Sequence, residues 1–250
     1  MLKDAAEIAQ RFTAETYVAA SGETLPYLFL APPDYDASRR YPLVLCLHGA
    51  AGRGTDNMTS ISGSVAARVL SQPDMRTRYP SFLLVPQAPP DGCWGHALDE
   101  AAMAERVRNG RPTKPAVGYL VLELMERTEK SWSIDTDRVY VIGQSMGGGG
   151  TWHLMAERPH KFAAAIAICG PVSTCYADVF AHTPVWAFHG ELDDHTPVQR
   201  IRDIVAAIRT AGGSVRYTEY EGVGHGSMGL VFQDPDVLEW LFAQRRSKGV

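Results

Sequence analysis

The sequence predicts an α/β protein, with a mostly parallel central sheet, helices on both faces and a pair of antiparallel strands ahead of it. Three observations carry this. Short apolar runs recur in PLVLCLHG, SFLLVPQ, RVYVIGQS, KFAAAIAICG and TPVWAFHG, the composition of strands buried on both faces. The runs stop at or beside glycine or proline, where a chain leaves a sheet. Segments of helical length and apolar recurrence lie between them, and strand and helix in alternation build a parallel sheet.

Taken in order, Thr13 to Ala20 and Thr24 to Ala31 read as a strand pair joined through Ser21-Gly22, the turn chemistry of a hairpin. The loop PPDYDASRRYP leads into the first parallel strand, PLVLCLHG. Helices are expected near Ser62 to Leu70, Pro115 to Lys130, Gly147 to Arg158, Val198 to Ala211 and Asp234 to Arg245, with Pro115 suited to a first helical turn. The stretch from Pro89 to Pro115, rich in Gly, Pro and polar residues, is the longest expected insertion and could overhang the strand ends. No internal repeat or low-complexity segment interrupts the pattern, and one domain over residues 1–250 is expected.

Composition excludes several classes of function. The formal net charge is -4, with acids and bases interspersed, so no basic stripe for nucleic acid is present. No segment approaches the roughly 18 apolar residues of a membrane span. The opening MLKDAAEIAQRF lacks the unbroken apolar stretch of a secretory signal. The chain as written is therefore expected to be soluble and cytoplasmic, while trimming of a leader would leave secretion open. Four cysteines without C-x-x-C spacing argue against zinc and thioredoxin-like chemistry; a Cys169–Cys175 bridge is left open, as is a monomer or dimer.

The chemistry is written in VYVIGQSMGGGGTW. Gly143-Gln144-Ser145-Met146-Gly147 matches G-x-S-x-G and stands after a strand and before a helix, where a sharp turn would expose the Ser145 hydroxyl over a helix N-terminus. A phosphate loop would need Gly-Lys-Ser/Thr and a dinucleotide loop G-x-G-x-x-G; neither spacing is present. A serine nucleophile needs a base and an acid that orients it, and HGELDDHTP and EGVGHGSM follow later apolar runs. Asp193 is the preferred acid, with Asp194 as rival, and His225 the preferred base, with His195 as weaker rival. The backbone amides of Met146 and Ala50 are the candidate oxyanion donors. Trp94, Gln144 and Met228 are candidates for the substrate wall, Trp94 being equally compatible with a core position. No ligand spacing for a metal is present at His48, His189 or the acids around Asp193.

The segments LHGAAGRGTDN, VPQAP followed by CW, VIGQSMGGGGTW, FAAAIAICG, VWAFHGELDDHTPV and VRYTEYEGVGHGSM, in order from Tyr41 to Met228, resemble the serine α/β hydrolases. More closely they are similar to the small lid-less carboxylesterase and phospholipase/carboxylesterase group, which grades into feruloyl esterases, polyhydroxybutyrate depolymerases and dienelactone-hydrolase-like proteins. The resemblance implies an α/β-hydrolase fold without a large cap domain. It also implies hydrolysis of a small-molecule carboxylic ester through an acyl-enzyme, with short acyl groups preferred, aromatic (feruloyl-type) acyl groups the alternative, and no cofactor. A prolyl-oligopeptidase-like peptidase is a weaker alternative, because that group usually adds a propeller domain. Two departures bear on substrate. Ala51-Gly52-Arg53-Gly54 stands where GERG is expected, removing a carboxylate that could brace the loop, and Gly224 to Met228 reads GHGSM where relatives often read GHNSW. Ser145 stands where true dienelactone hydrolases carry cysteine, which argues against that activity.

Overall fold

The computed structural model describes residues 5–95, 97, 103–104, 108 and 115–246. Eight strands form one sheet: β1 (Thr13–Val18), β2 (Thr24–Leu30), β3 (Tyr41–Leu47), β4 (Phe82–Pro86), β5 (Ile134–Gln144), β6 (Ala164–Ile168), β7 (Val185–Gly190) and β8 (Val215–Tyr220). Their order is β1-β2-β4-β3-β5-β6-β7-β8. The β1/β2 and β2/β4 pairs are antiparallel and every other pair is parallel, as the sequence predicts.

Alternation along the strands feeds two cores, one on each face. Leu43, Leu45 and Leu47 of β3 pack with Leu120, Val121 and Trp152 on one side. Val44 and Cys46 pack on the other with Ile61, Leu70 and Leu241. Every residue of β3, β4, β6 and β7 is buried, so these strands carry apolar residues at consecutive positions instead of alternating with polar ones.

Helix boundaries differ from expectation for local reasons. The helix expected from Pro115 starts at Gly118, because Cys93 and Ala116 form a bridge: Cys93 N–H donates to the Pro115 carbonyl and Val117 N–H to the Cys93 carbonyl, which keeps the chain extended there. The helix expected over Ser62 to Leu70 is two, Met58–Ser62 and Val65–Leu70. Gly63 ends the first, and Ser64 caps the second by accepting from the Ala67 amide. The break is built in, since the Gly63 carbonyl accepts from Gly49 N–H and anchors the loop after β3. The last helix is shorter than expected, Asp236–Ala243, and among the described residues three helices, Ala5–Ala9, Pro73–Arg78 and the four-residue Ala177–Phe180, lie outside the predicted set. Most of the Pro89 to Pro115 insertion (residues 96, 98–102, 105–107 and 109–114) lies outside the described residues. Between β6 and β7 the chain makes only a 3-10 turn, Thr174–Tyr176, and the four-residue helix Ala177–Phe180. Among the described residues, no helix is long and apolar enough to cross a membrane.

The glycines around Ser145 are required by close approach. A Cβ on Gly143 would lie 2.0 Å from the Gly147 carbonyl oxygen, and one on Gly147 would lie 2.2 Å from the Leu47 carbonyl oxygen at the end of β3. Both obstacles are backbone. Gly147→Ala is therefore expected to cost about 2 kcal/mol or more and to lower Tm by at least about 4 °C, measured by calorimetry. An unchanged Tm would show that this helix start does not press on β3.

Candidate active site

Every predicted chemical residue sits at the carboxyl end of the parallel strands, where such sheets bind ligands. Ser145 follows β5 directly and opens the Met146–Glu157 helix at φ 53°, ψ -115°. Positive φ is costly for a side chain with a Cβ, and such strain persists only where the surroundings impose it. Here Ser145 N–H donates to the Ile168 carbonyl of β6, and the Ser145 carbonyl accepts from Gly149 N–H. The turn is held from both sides, and the half-buried hydroxyl points away from the sheet toward His225.

Three strand ends converge on that hydroxyl. His225 lies in the short helix His225–Gly229 that follows β8, and its Nε2 is 2.8 Å from Ser145 Oγ. Its Nδ1 is 2.8 Å from Oδ2 of Asp193, on the loop after β7. An ionised carboxylate can only accept, so Nδ1 carries the proton and Nε2 is left as the acceptor for the serine hydroxyl. The Asp193 side chain is fully buried, while that of His225 is partly open. Its other oxygen, Oδ1, accepts the backbone N–H groups of His195 and Thr196, both at 2.9 Å, which compensates a buried charge.

The structure separates the rivals. Asp194 is exposed and pairs with His195 Nδ1 at 2.7 Å, so it faces away from Nδ1 of His225. The ring bonded to Ser145 is that of His225, and the His195 ring lies flat against it. A third histidine, His189 in β7, was not assigned from the sequence. It is wholly buried, its Nε2 donates to the Thr196 carbonyl at 2.9 Å, and the same nitrogen is 3.3 Å from Asp193 Oδ2. Burial lowers its pKa and favours the neutral form.

Of the two expected oxyanion donors, Met146 follows Ser145 directly and Ala50 follows Gly49 in the loop after β3. Met146 and Ala50 are the first residues of an α-helix and a 3-10 helix, positions whose N–H groups have no partner within their own helix. The loop after β3 passes beside the serine, since a Cβ on Gly49 would lie 3.6 Å from Ser145 Cβ.

Side-chain braces that the sequence did not disclose hold this loop. Gln87 Nε2 donates to the Gly52 carbonyl and to Asp56 Oδ1, while its Oε1 accepts from Asn57 N–H. Thr59 and Gln87 hold the Asp56 carboxyl down at about 2. Asp56 and Gln87 thus brace the loop with a carboxylate from further along the chain than the missing GERG glutamate. Both residues are legible in GTDN and VPQAP, but their pairing across 31 residues is not.

His48 is the other brace. It is completely buried, Nδ1 donates to the Gly49 carbonyl at 2.7 Å, and Nε2 accepts from Ala88 N–H at 3.0 Å. Burial pushes its pKa down to about 4, so it is neutral at pH 7. An unfolded chain takes up that proton below about 6.5, and the folded protein does not. Stability is therefore full above that pH and falls between about 6.5 and 4, by about 2 kcal/mol at pH 5. Neutral, buried His189 acts in the same direction. The difference in urea midpoint between pH 7 and pH 5 should accordingly be smaller in His48→Gln than in the wild type; an equal pH difference would show that His48 does not carry this effect.

Trp94 is corrected. It is fully buried, its Nε1 donates to the His48 carbonyl at 2.9 Å and its ring packs against His48, so it supports the loop from beneath and offers no surface to a ligand. The other two wall candidates are engaged with each other: Gln144 Oε1 accepts from Val65 N–H at 2.8 Å and its Nε2 is 3.0 Å from Met228 Sδ. Met228 is half-buried against the second core, beside the loop carrying His225.

Cys169 and Cys175 are not bridged; the first is buried and the second exposed. Cys169, Asp193 and His225, and separately Asp193, Asp194 and His195, bring three ligand-type atoms within 4.8 Å. Both sets depend on Asp193, whose oxygens are already committed to His225, His195 and Thr196. In the first, burial pushes the Cys169 thiol up to about 12, and a neutral thiol is a poor ligand. Neither set fits a metal.

The Esterase family, described as "Putative esterase", matches residues 19–210, a span that includes Ser145 and Asp193 and stops before His225. The chain is 35% identical to a protein whose structure is titled "Crystal Structure of a Thermostable Esterase", with a TM-score of 0.87 over 96% of this chain and 64% of that one. It is 32% identical over 89 residues to the bifunctional acetylxylan esterase/xylanase XynS20E of Neocallimastix patriciarum, across 36% of this chain and 13% of that protein. It is 28% identical over 143 residues to feruloyl esterase B of Neurospora crassa, across 57% of this chain and 43% of that protein. The chain thus spans less than half the length of either enzyme.

Proposed function

The chain belongs to the Esterase family, and from that premise we propose that it is a serine carboxylesterase acting through an acyl-enzyme, with Ser145 as nucleophile, His225 as general base and acid, and Asp193 as the group that orients His225. The observation that carries the reading is the unbroken line Ser145 Oγ, His225 Nε2, His225 Nδ1, Asp193 Oδ2, with 2.8 Å at each hydrogen bond.

The chemistry follows from that line. Ser145 Oγ attacks the ester carbonyl carbon as its proton passes to His225 Nε2, and Asp193 stabilises the imidazolium that forms. The carbonyl oxygen becomes an oxyanion facing the amides of Met146 and Ala50 and the positive end of the Met146–Glu157 helix. Collapse breaks the bond to the alcohol, which leaves with the proton from Nε2. Water then attacks the acyl-enzyme, giving its proton to the same nitrogen, and the acid departs as Ser145 Oγ takes that proton back.

Short acyl groups on a larger alcohol suit the site best. Ser145 is half-buried at the strand ends, and the turns between β6 and β7 are short. One relative's name includes acetylxylan esterase. A feruloyl esterase among the relatives makes aromatic acyl groups the comparison to run.

The test is intact-protein mass spectrometry after a fluorophosphonate probe, on wild type and Ser145→Ala, beside nitrophenyl esters from acetate to long chain and methyl ferulate. One adduct, lost in the variant, with acetate the best substrate, is the expected result. An adduct that survives the variant, or no adduct, would overturn the nucleophile; preference for methyl ferulate would overturn the short-acyl assignment.

A further inference from the structure

The loop that supplies Asp193 carries a second histidine–aspartate pair that this reaction does not use. His195 Nδ1 lies 2.7 Å from Asp194 Oδ1, and the His195 ring is stacked on that of His225, with centroids 4.6 Å apart and planes inclined by 17°. Two parallel imidazoles are thus each tied at Nδ1 to an adjacent aspartate of one loop. The inner pair is buried at its carboxylate, and the outer pair is exposed.

Geometry gives the outer ring a purpose. The bonds from His225 to Asp193 and Ser145 both lie along the edge of the imidazole, in its plane, and such bonds resist displacement perpendicular to the ring only weakly. A flat ring held against one face supplies the missing restraint. We propose that His195, oriented by Asp194, is a positioning residue that keeps His225 in the plane shared by Ser145 and Asp193; the inference rests on the reading of His225 as the base.

The experiment compares His195→Ala, His195→Phe and His225→Ala with wild type on nitrophenyl acetate, with kcat, KM, Tm and fluorophosphonate labelling for each. The Ala variant should lose about tenfold in kcat with KM and Tm nearly unchanged, since His195 is exposed. The Phe variant, which keeps a flat ring, should recover to within about threefold of wild type. Wild-type kcat in His195→Ala, a loss that appears in KM instead of kcat, or no recovery with Phe would overturn the proposal. Retained activity in His225→Ala, or labelling elsewhere than Ser145, would instead overturn the esterase mechanism on which it rests.

Discussion

Ser145→Ala is expected to lower kcat by about 10⁴- to 10⁶-fold on any ester the wild type hydrolyses, with the fold intact. The size of the loss follows from the role of the residue. On the proposed mechanism no acyl-enzyme forms without Oγ, and what survives is the contribution of the proposed oxyanion amides and binding. His225→Ala should cost about as much, and the double variant no more than either alone, because the two side chains act as one proton-transfer unit. Alanine at φ 53° is strained as serine is, so Ser145→Ala leaves backbone strain in place, whereas Ser145→Gly should release it and raise stability by about 1 kcal/mol or more. An inactive enzyme with a raised Tm would show that the turn stores strain for the sake of the hydroxyl. Active-site titration with a fluorophosphonate, together with calorimetry, checks both halves; additive losses in the double variant would mean that the residues act separately.

Asp193→Asn should cost about 10³- to 10⁴-fold in kcat, while Asp194→Asn should stay within about fivefold of wild type. The carboxylate of Asp193 forces the proton of His225 onto Nδ1. A carboxamide can turn its NH2 toward that nitrogen, which moves the proton to Nε2 and leaves Ser145 facing a donor where it needs an acceptor. Asparagine can still offer a carbonyl oxygen to the amides of His195 and Thr196, so the loop should hold and the loss should be catalytic. The Asp194 carboxylate is exposed and paired with the His195 ring, so its main effect is expected through what that ring does for His225. Nitrogen NMR of the imidazole would show the tautomer directly: Nδ1 protonated in wild type and Asp194→Asn, Nε2 protonated in Asp193→Asn. Equal losses in the two asparagine variants would contradict this division of roles.

Much of the fold was legible because it depends on local pattern. Apolar runs such as PLVLCLHG and TPVWAFHG become β3 and β7, with every observed strand residue buried, and Ser21-Gly22 turns β1 into β2 as its residue types require. The site was legible for a related reason. G-x-S-x-G demands a strand before it and a helix after it, and the glycines at 143 and 147 are where neighbouring backbone leaves no space for a Cβ. Helix ends were less legible, since the helix near Pro115 begins where a bridge from Cys93 lets go, and the break at Gly63 is fixed by an amide from the loop after β3.

The sequence by itself determined the strand–helix alternation, the exposed serine turn and the three loops that could supply its partners, because all of these follow from residue type and short spacing. Only the tertiary structure decided which neighbour on a loop is used. Asp193 and Asp194 have the same chemistry and adjoin in the chain, and they are distinguished by direction alone, one turned inward to His225 and the other outward to His195. Trp94 is a core residue for the same reason: its place depends on a carbonyl of His48, 46 residues away, and no local pattern encodes the direction in which a side chain will find such a partner.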